Sequence, residues 1–536
     1  MSADSISPDP FWEFPYLSRR IPLLAANVVS TSQPLAAQAG LRMLLSGGNA
    51  VDAALAAAIA LTVVEPVMNG IGGDAFALIW DKGSLHGLNA SGRAPAAWTP
   101  EFFQGRAAMP EFGWGTVTVP GQVAGWAELS RRHGRLPFAA LFEPAIAYAE
   151  HGYAVSPTIA RQWAAQALLF KDQPGFAQAF LRDGAAPRAG DLWRFPEQAA
   201  TLRRIASSMG RDFYEGELAQ RIADFAAHSG GALTQADLAA HRCDWVQPLS
   251  MSYRGRYMLH ELPPNGQGIA ALMALGMLDA FEPPRADRPL DLFSLPIEAM
   301  KLAFADLHAH VGDAAAMGEL TGQLLSRDYL RRRAAQIDPG RAAVPAAGLP
   351  GHGGTVYLTA ADADGMMVSF IQSNYQGFGS GVVVPGTGIA LHNRGRSFTL
   401  QPGHRNQVAP GKRPMHTIIP AFVTRDGEPY ASFGVMGGNM QAQGHVQMMQ
   451  QLVDLGHNPQ AAVDAPRFRV EAGPRVMLEA HVPAQVVEAL RQQGHNVDVQ
   501  APQSLDFGAA QVILRQPHGG YIAASDPRRD GQAVGY

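Results

Sequence analysis

The chain has 536 residues, 47% of them hydrophobic and 16% charged, with 57 Gly and 39 Pro. At about 150 residues per domain this is roughly three and a half units, and two large ones fit as well. A small disulfide scaffold is excluded, because Cys243 is the single cysteine and can build neither an internal disulfide nor a thiolate metal cluster. Lys plus Arg number 42 against 46 Asp plus Glu, a formal net charge of −4, so no global field draws the protein to nucleic acid.

The first residues carry Asp4, Pro8, Asp9 and Pro15 and reach Arg19 and Arg20 without an apolar core of leader length, so the expected location is the cytoplasm. Pro34 opens a helix through Leu35, Ala39, Leu41, Leu44 and Leu45 that ends at Gly47 and Gly48. Asn49 caps the next, 50–64, which is rich in alanine, too short to cross a bilayer, and stops before Glu65 and Pro66. The glycine loop 69–74 then leads into an alternating strand at 75–80. Its glycines follow a helix and precede a strand, the reverse of a dinucleotide fingerprint, so no cofactor is expected there.

From about 120 to 350 the pattern is largely helical, with helices at 138–150, 197–208, 218–229 and 292–310, a strand pair near 251–262, and a Pro/Gly loop at 263–268 before another apolar helix. Beyond 329–336 it dissolves into Gly and Pro, and 337–354 reads as a mobile linker. At Thr355 the period changes to two: Thr355, Tyr357 and Thr359 share one face, Val356, Leu358 and Ala360 the other. Residues 366–372 return antiparallel, further strands fit 418–424, 430–435, 510–514 and 520–524, and helices fit 440–455 and 483–493. The fold class is α+β, a sheet core covered by helices to which both parts of the chain contribute.

The glycines just before Thr355 are the most informative feature. A hydroxyl is a weak nucleophile without a nearby base. Cleavage of the Gly354–Thr355 bond would give Thr355 a free α-amine with a pKa of about 7.7 to 8.0, able to accept the hydroxyl proton. Uncleaved, the same residue is an ordinary strand threonine after a linker. Farther on, Gly437 and Gly438 precede the apolar-periodic segment beginning at Met440, so their N–H groups project from a turn at a helix start. The histidines, including His310, His352 and His392, lack metal-ligand spacing, and no metal is expected.

In order along the chain stand Ser32, Pro34-Leu35-Ala36 and Ala39-Gly40, then Gly47-Gly48-Asn49-Ala50-Val51-Asp52-Ala53, Val64-Glu65-Pro66 and Gly70-Ile71-Gly72-Gly73. Then come Val119-Pro120-Gly121, Glu298-Ala299-Met300-Lys301, Gly411-Lys412-Arg413-Pro414, Met436-Gly437-Gly438, Asp464-Ala465-Pro466-Arg467-Phe468 and Ser525-Asp526-Pro527-Arg528. Through these the chain, from about Val28 to Tyr536, resembles the gamma-glutamyltransferases, which are N-terminal-nucleophile hydrolases. The resemblance implies a precursor that cuts itself before a threonine and a four-layer αββα sandwich built jointly by the two products. Here the nucleophile would be Thr355, and the products would be 1–354, including the linker 337–354, and 355–536. It also implies that Ser373 orients the terminal amine and hydroxyl, that Gly437 and Gly438 form the oxyanion hole, and that the two chains stay associated. Thr359 is a weaker candidate, as a supporting hydroxyl in autoprocessing. A homodimer stays open.

Two segments depart from the family pattern. In 89–95 the arginine that holds the substrate α-carboxylate falls on Ser91, with Arg93 displaced by two residues; Arg93 either binds an acidic group from another angle or caps a surface loop. In 391–398 a polar Gln or Glu and the amine-binding aspartate fall on Arg394 and Ser397, while a serine pair falls on His416 and Thr417 and an asparagine on Tyr375. His416 is either part of the pocket or a structural donor. The expected pocket is bulkier and more basic, suiting an acyl group with a terminal carboxylate and no adjacent ammonium. The leading reading is an autoprocessing amide hydrolase or acyltransferase acting on a small amide or gamma-glutamyl donor such as glutathione, with water or an amine as acceptor. The alternatives are an acylase resembling the cephalosporin and glutaryl acylases, and an unprocessed, non-enzymatic binder of a small acidic ligand. No cofactor, nucleic acid or membrane is expected as partner.

Overall fold

A computed structural model describes Phe11 and residues 19–343, 354–502 and 504–536. Two seven-stranded antiparallel sheets lie face to face, each covered on its outside by helices, which makes four layers. One sheet runs Leu23–Ala25, Tyr521–Ser525, Ala509–Arg515, Glu428–Met436, Ala421–Arg425, Tyr257–Glu261, Leu249–Tyr253. The other runs Gln532–Gly535, Val28–Thr31, Gly354–Ala361, Met367–Tyr375, Asp74–Asp81, Ser84–Ala90, Asp244–Val246. Both sheets combine strands from before and after residue 354.

The alternation read at 355–360 has its cause in these layers. Tyr357 joins Phe76, Leu78, Ile371, Phe422 and Ile513 between the sheets, whereas Val356, Leu358, Ala360, Val368 and Phe370 pack toward the helices. The Tyr357 ring fits because residue 434 is glycine; a Cβ there would come within 2.4 Å of it. The helix Ala50–Val64 is buried along its whole length. It starts at a reciprocal cap, Asn49 accepting from the Asp52 N–H and Asp52 from the Asn49 N–H. Its small side chains let it lie directly on Gly354–Ala361 and Met367–Tyr375, and the helix Pro34–Leu45 approaches closely enough that a Cβ on Gly40 would sit 2.8 Å from the Ala53 carbonyl oxygen. On the opposite outer face Gly268–Leu278 and Met440–Met449 cover the first sheet, with Ser294–His310 packed against them.

Several boundaries differ from expectation. The 138–150 helix is a 3-10 turn, Phe138–Phe142, followed by Glu143–His151, since Pro144 favours a first-turn position. The strand expected from 418 begins at Ala421, after Pro420, which has no N–H to give a ladder. The 440–455 helix is α-helical over Met440–Met449 and passes into a π-turn at Gln450–Asp454. The linker is not free along its first part: Ala342 N–H donates to the Gln493 carbonyl at 2.7 Å and Ala343 N–H to Glu298 Oε2 at 2.9 Å. Its remainder, 344–353, lies outside the described residues. Among the described residues no helix is long and apolar enough to cross a membrane.

Candidate active site

The strand Gly354–Ala361 runs through Gly354 and Thr355, the bond expected to be cut. Gly354 pairs with Tyr375 and Val356 with Gln372, so that Ser373 and Asn374 together stand opposite Thr355. This bulge turns Ser373 toward the buried threonine: their hydroxyl oxygens are 3.2 Å apart. Ser373 Oγ also accepts the Tyr375 N–H at 2.7 Å, and Thr355 Oγ1 accepts a hydrogen bond from Gln441 Nε2 at 3.3 Å. Gln441 belongs to the helix Met440–Met449, whose approach turn contains Gly437 (φ 119°) and Gly438 (φ 60°). Both angles lie in the left-handed region that glycine tolerates, and first-turn N–H groups have no partner within a helix. Gln267 Nε2 donates to the Gly438 carbonyl at 2.8 Å and also to the Thr417 carbonyl, which ties this turn to the loop carrying Thr417.

Beyond Ser373 lies a buried cluster of charged and aromatic side chains. Tyr375, a non-glycine residue at φ 78°, places its ring beneath Arg394, whose Cζ is 4.0 Å from the ring centroid. Arg394 is fully buried and donates from Nη1 to Thr417 Oγ1 at 2.9 Å, while Nε and Nη2 have no hydrogen-bond partner among the described residues. Burial pushes its pKa down to about 10. Next to it, Asp74 Oδ1 accepts the Gly92 and Gly121 N–H groups at 3.0 and 3.1 Å, and Oδ2 faces His416 Nε2 at 3.1 Å and His392 Nδ1 at 3.6 Å. Burial opposes the Asp74 charge, but His392, His416 and Arg394 outweigh it and hold the carboxyl well below the usual range. His416 is driven down to about 3 by burial, with the Arg394 charge adding to the effect, and burial lowers His392 as well. At neutral pH the pocket thus holds one anion, one cation and two neutral imidazoles.

The other expected residues fall as follows. Thr359 shares the face of Thr355 but sits four residues along the strand, where its hydroxyl bonds Ser432 Oγ at 2.6 Å; it does not reach the Thr355 centre. Arg93 does not enter the pocket either. It is half exposed and lies near Asp244 (3.5 Å) and Asp313 (3.9 Å), because those carboxylates offer it neutralisation at the surface. Ser397 has no hydrogen-bond partner for its hydroxyl among the described residues, and its carbonyl accepts from Asn406 Nδ2. Ser91, at the place of the family arginine, is tied up with Asn89 and Asn265. Ser373, Tyr375, Arg394, His416 and Thr417 come together with Thr355.

The sequence profile of the gamma-glutamyltranspeptidase family matches residues 36–536. The chain belongs to that family. It is 36% identical over 518 residues to a glutathione hydrolase-like proenzyme of Bacillus subtilis (95% of this chain, 98% of the relative). It is 38% identical over 514 residues to the oxamate amidohydrolase proenzyme of Klebsiella pneumoniae (94% and 97%). Among solved structures, cephalosporin acylase from Bacillus halodurans superposes with a TM-score of 0.94 at 49% identity, covering 99% of each chain. This gamma-glutamyltranspeptidase-family protein is an autoprocessing amide hydrolase or acyltransferase of the N-terminal-nucleophile type.

Four residues of the site escaped sequence reasoning: Asp74, Gln267, His392 and Gln441. Asp74 ends the Gly70–Gly73 loop and Gln267 sits in the Pro/Gly loop, so each had a local signal of an unusual turn but none of a charge or amide role. His392 stands two residues before Arg394, and Gln441 is hidden in an apolar-periodic helix.

Proposed function

We propose that the enzyme cuts itself between Gly354 and Thr355 and then uses Thr355 Oγ1 to take an acyl group ending in a carboxylate, with no α-ammonium, from its amide. In the cut protein the Thr355 α-amine accepts the hydroxyl proton as Oγ1 attacks the amide carbon, and Ser373, at 3.2 Å, orients the hydroxyl. The Gly437 and Gly438 N–H groups stabilise the oxyanion; one such donor is typically worth about 2.7 to 4 kcal/mol. The α-ammonium then protonates the leaving amine, and water or an amine accepts the acyl group from the ester.

The observation that carries the donor class is the buried Arg394, whose Nε and Nη2 have no hydrogen-bond partner among the described residues, in the cluster that runs from Ser373 through Tyr375. A planar fork of this kind matches a carboxylate. Among the described residues Asp74 is the carboxylate facing it, and both its oxygens are already engaged, which leaves a substrate ammonium without a free anion there. Two tests separate the parts. Intact mass of wild type should give fragments beginning at Thr355 while Thr355→Ala stays whole; a wild type that stays whole overturns the nucleophile assignment. A panel of malonyl, succinyl and glutaryl p-nitroanilides against gamma-glutamyl-p-nitroanilide should favour a plain diacid; preference for the gamma-glutamyl donor overturns the pocket reading.

A further inference from the structure

Gln441 is fully buried and its side-chain amide is committed at both ends. Oε1 accepts the Ile419 N–H at 3.0 Å, and Nε2 donates to Thr355 Oγ1 at 3.3 Å. Because a backbone N–H fixes which end is the oxygen, the end against Thr355 is the NH₂ group. A donor, and not a base, therefore faces the nucleophilic oxygen. Such a group does nothing to remove the hydroxyl proton. It acts when negative charge collects on that oxygen, which happens as the oxygen leaves an ester.

We propose that Gln441 is a catalytic residue that stabilises Thr355 Oγ1 as a leaving group, in self-cleavage and again in each turnover. This rests on Thr355 being the nucleophile. In self-cleavage Oγ1 bonds to the Gly354 carbonyl carbon, the bond from that carbon to the Thr355 nitrogen breaks, and the nitrogen takes the hydroxyl proton, which leaves an ester and a free amine. Water then adds to the ester carbon. The carbon–Oγ1 bond breaks with its electron pair on Oγ1, Oγ1 regains one proton of the water, the other passes to the freed Thr355 amine, and Gly354 ends as a carboxylate. A hydrogen bond to an ionising oxygen is roughly twice as strong as one to a neutral hydroxyl, so the Gln441 bond strengthens as the ester breaks and lowers that barrier. The acyl-enzyme passes through the same bond-breaking step.

Self-cleavage gives a test that needs no knowledge of the acyl donor. Gln441→Glu keeps the shape and the acceptor for Ile419 but loses the donor; Gln441→Met keeps the volume and loses both bonds. Precursors made by cell-free synthesis are followed by mass spectrometry for appearance of 355–536, with thermal melts confirming that the variant judged is folded. Either folded variant should cut about tenfold or more slowly than wild type, and hydroxylamine should open the uncut chain at Gly354, because the ester still forms. Cutting within twofold of wild type, or slowed cutting with a chain that resists hydroxylamine at Gly354, overturns the proposal. A wild type that does not cut at Thr355 removes the nucleophile reading instead, so the two failures are distinguishable.

Discussion

Replacing Arg394 with methionine tests the pocket at its charged end. The guanidinium keeps one hydrogen bond, to Thr417, and stacks on Tyr375, but burial lowers its pKa to about 10, so its charged form is held at a cost that Tyr375 and Asp74 only partly offset. A substrate carboxylate across Nε and Nη2 offsets that cost. Removing one partner of a buried, hydrogen-bonded charge pair typically loses about 2 to 5 kcal/mol. At about 1.4 kcal/mol per tenfold, kcat/KM for the best diacid p-nitroanilide should fall by about 30-fold to about 5,000-fold in Arg394→Met. The pentanoyl anilide, similar in length and uncharged, should change by less than about threefold. Stability should hold or rise, since an apolar side chain in place of an incompletely paired buried cation is often neutral or stabilising. The assay is p-nitroaniline release with matched melting curves. Equal losses on charged and neutral donors, or a loss of less than tenfold on the charged one, would refute the carboxylate subsite.

Arg93→Ala should leave kcat/KM on the same donors within about threefold, because Arg93 faces Asp244 and Asp313 at the surface; a loss as large as that of Arg394→Met would return it to the pocket. Acidification should destabilise the fold between about pH 6.5 and 4. Burial lowers His241 and His308 to about 4 and His416 to about 3, so the unfolded chain binds more protons in that window and stability falls with pH. Glu65, raised to about 7 by burial, acts in the opposite sense, as do Asp52, Glu261, Asp362 and Asp464, which burial also raises, but His86, His260, His392 and His495 are lowered as well and add to the histidine side. The melting temperature should accordingly be lower at pH 5 than at pH 7, and the reverse order would contradict this balance. The two products should stay together through purification and melt as one unit, because each sheet is built from strands on both sides of residue 354; release of 355–536 in mild urea before the main transition would refute that.

The elements that were legible in sequence are those whose local pattern matches their final surroundings. The helix at 50–64 shows its cap and its small residues, and the strand at 355–360 shows a period of two because one face meets the other sheet and the opposite face meets helices. Val28–Thr31 and Gln532–Gly535 carry too few residues to show a period and are strands because of what they pair with. The site followed the same rule. Thr355, Gly437 and Gly438 stand at local breaks in pattern, and the resemblance singled out Ser373, Tyr375, Arg394, His416 and Thr417. Asp74 became a site residue only through a partner 342 positions away, a distance that no local pattern spans. Arg93 misled for the complementary reason: an arginine two residues from the expected place found carboxylates nearer to hand.

The Ser373–Tyr375 segment explains how reaction and recognition are held in register. Ser373 turns to Thr355 through the bulge, and Tyr375, two residues on, presents its ring to Arg394. Its positive φ sets the direction in which the chain leaves the strand. The Ser373 hydroxyl accepts the Tyr375 N–H, so the group that orients the nucleophile also holds the residue that carries the arginine. For the proposed diacid donor, the separation between the attacked carbonyl and a carboxylate on Arg394 would therefore be set by backbone geometry and not by a loose loop, and one acyl length should be favoured over its neighbours. Moving Tyr375 by one residue would displace both the Arg394 seat and the Ser373 hydrogen bond, so donor length and nucleophile orientation change together and not one at a time.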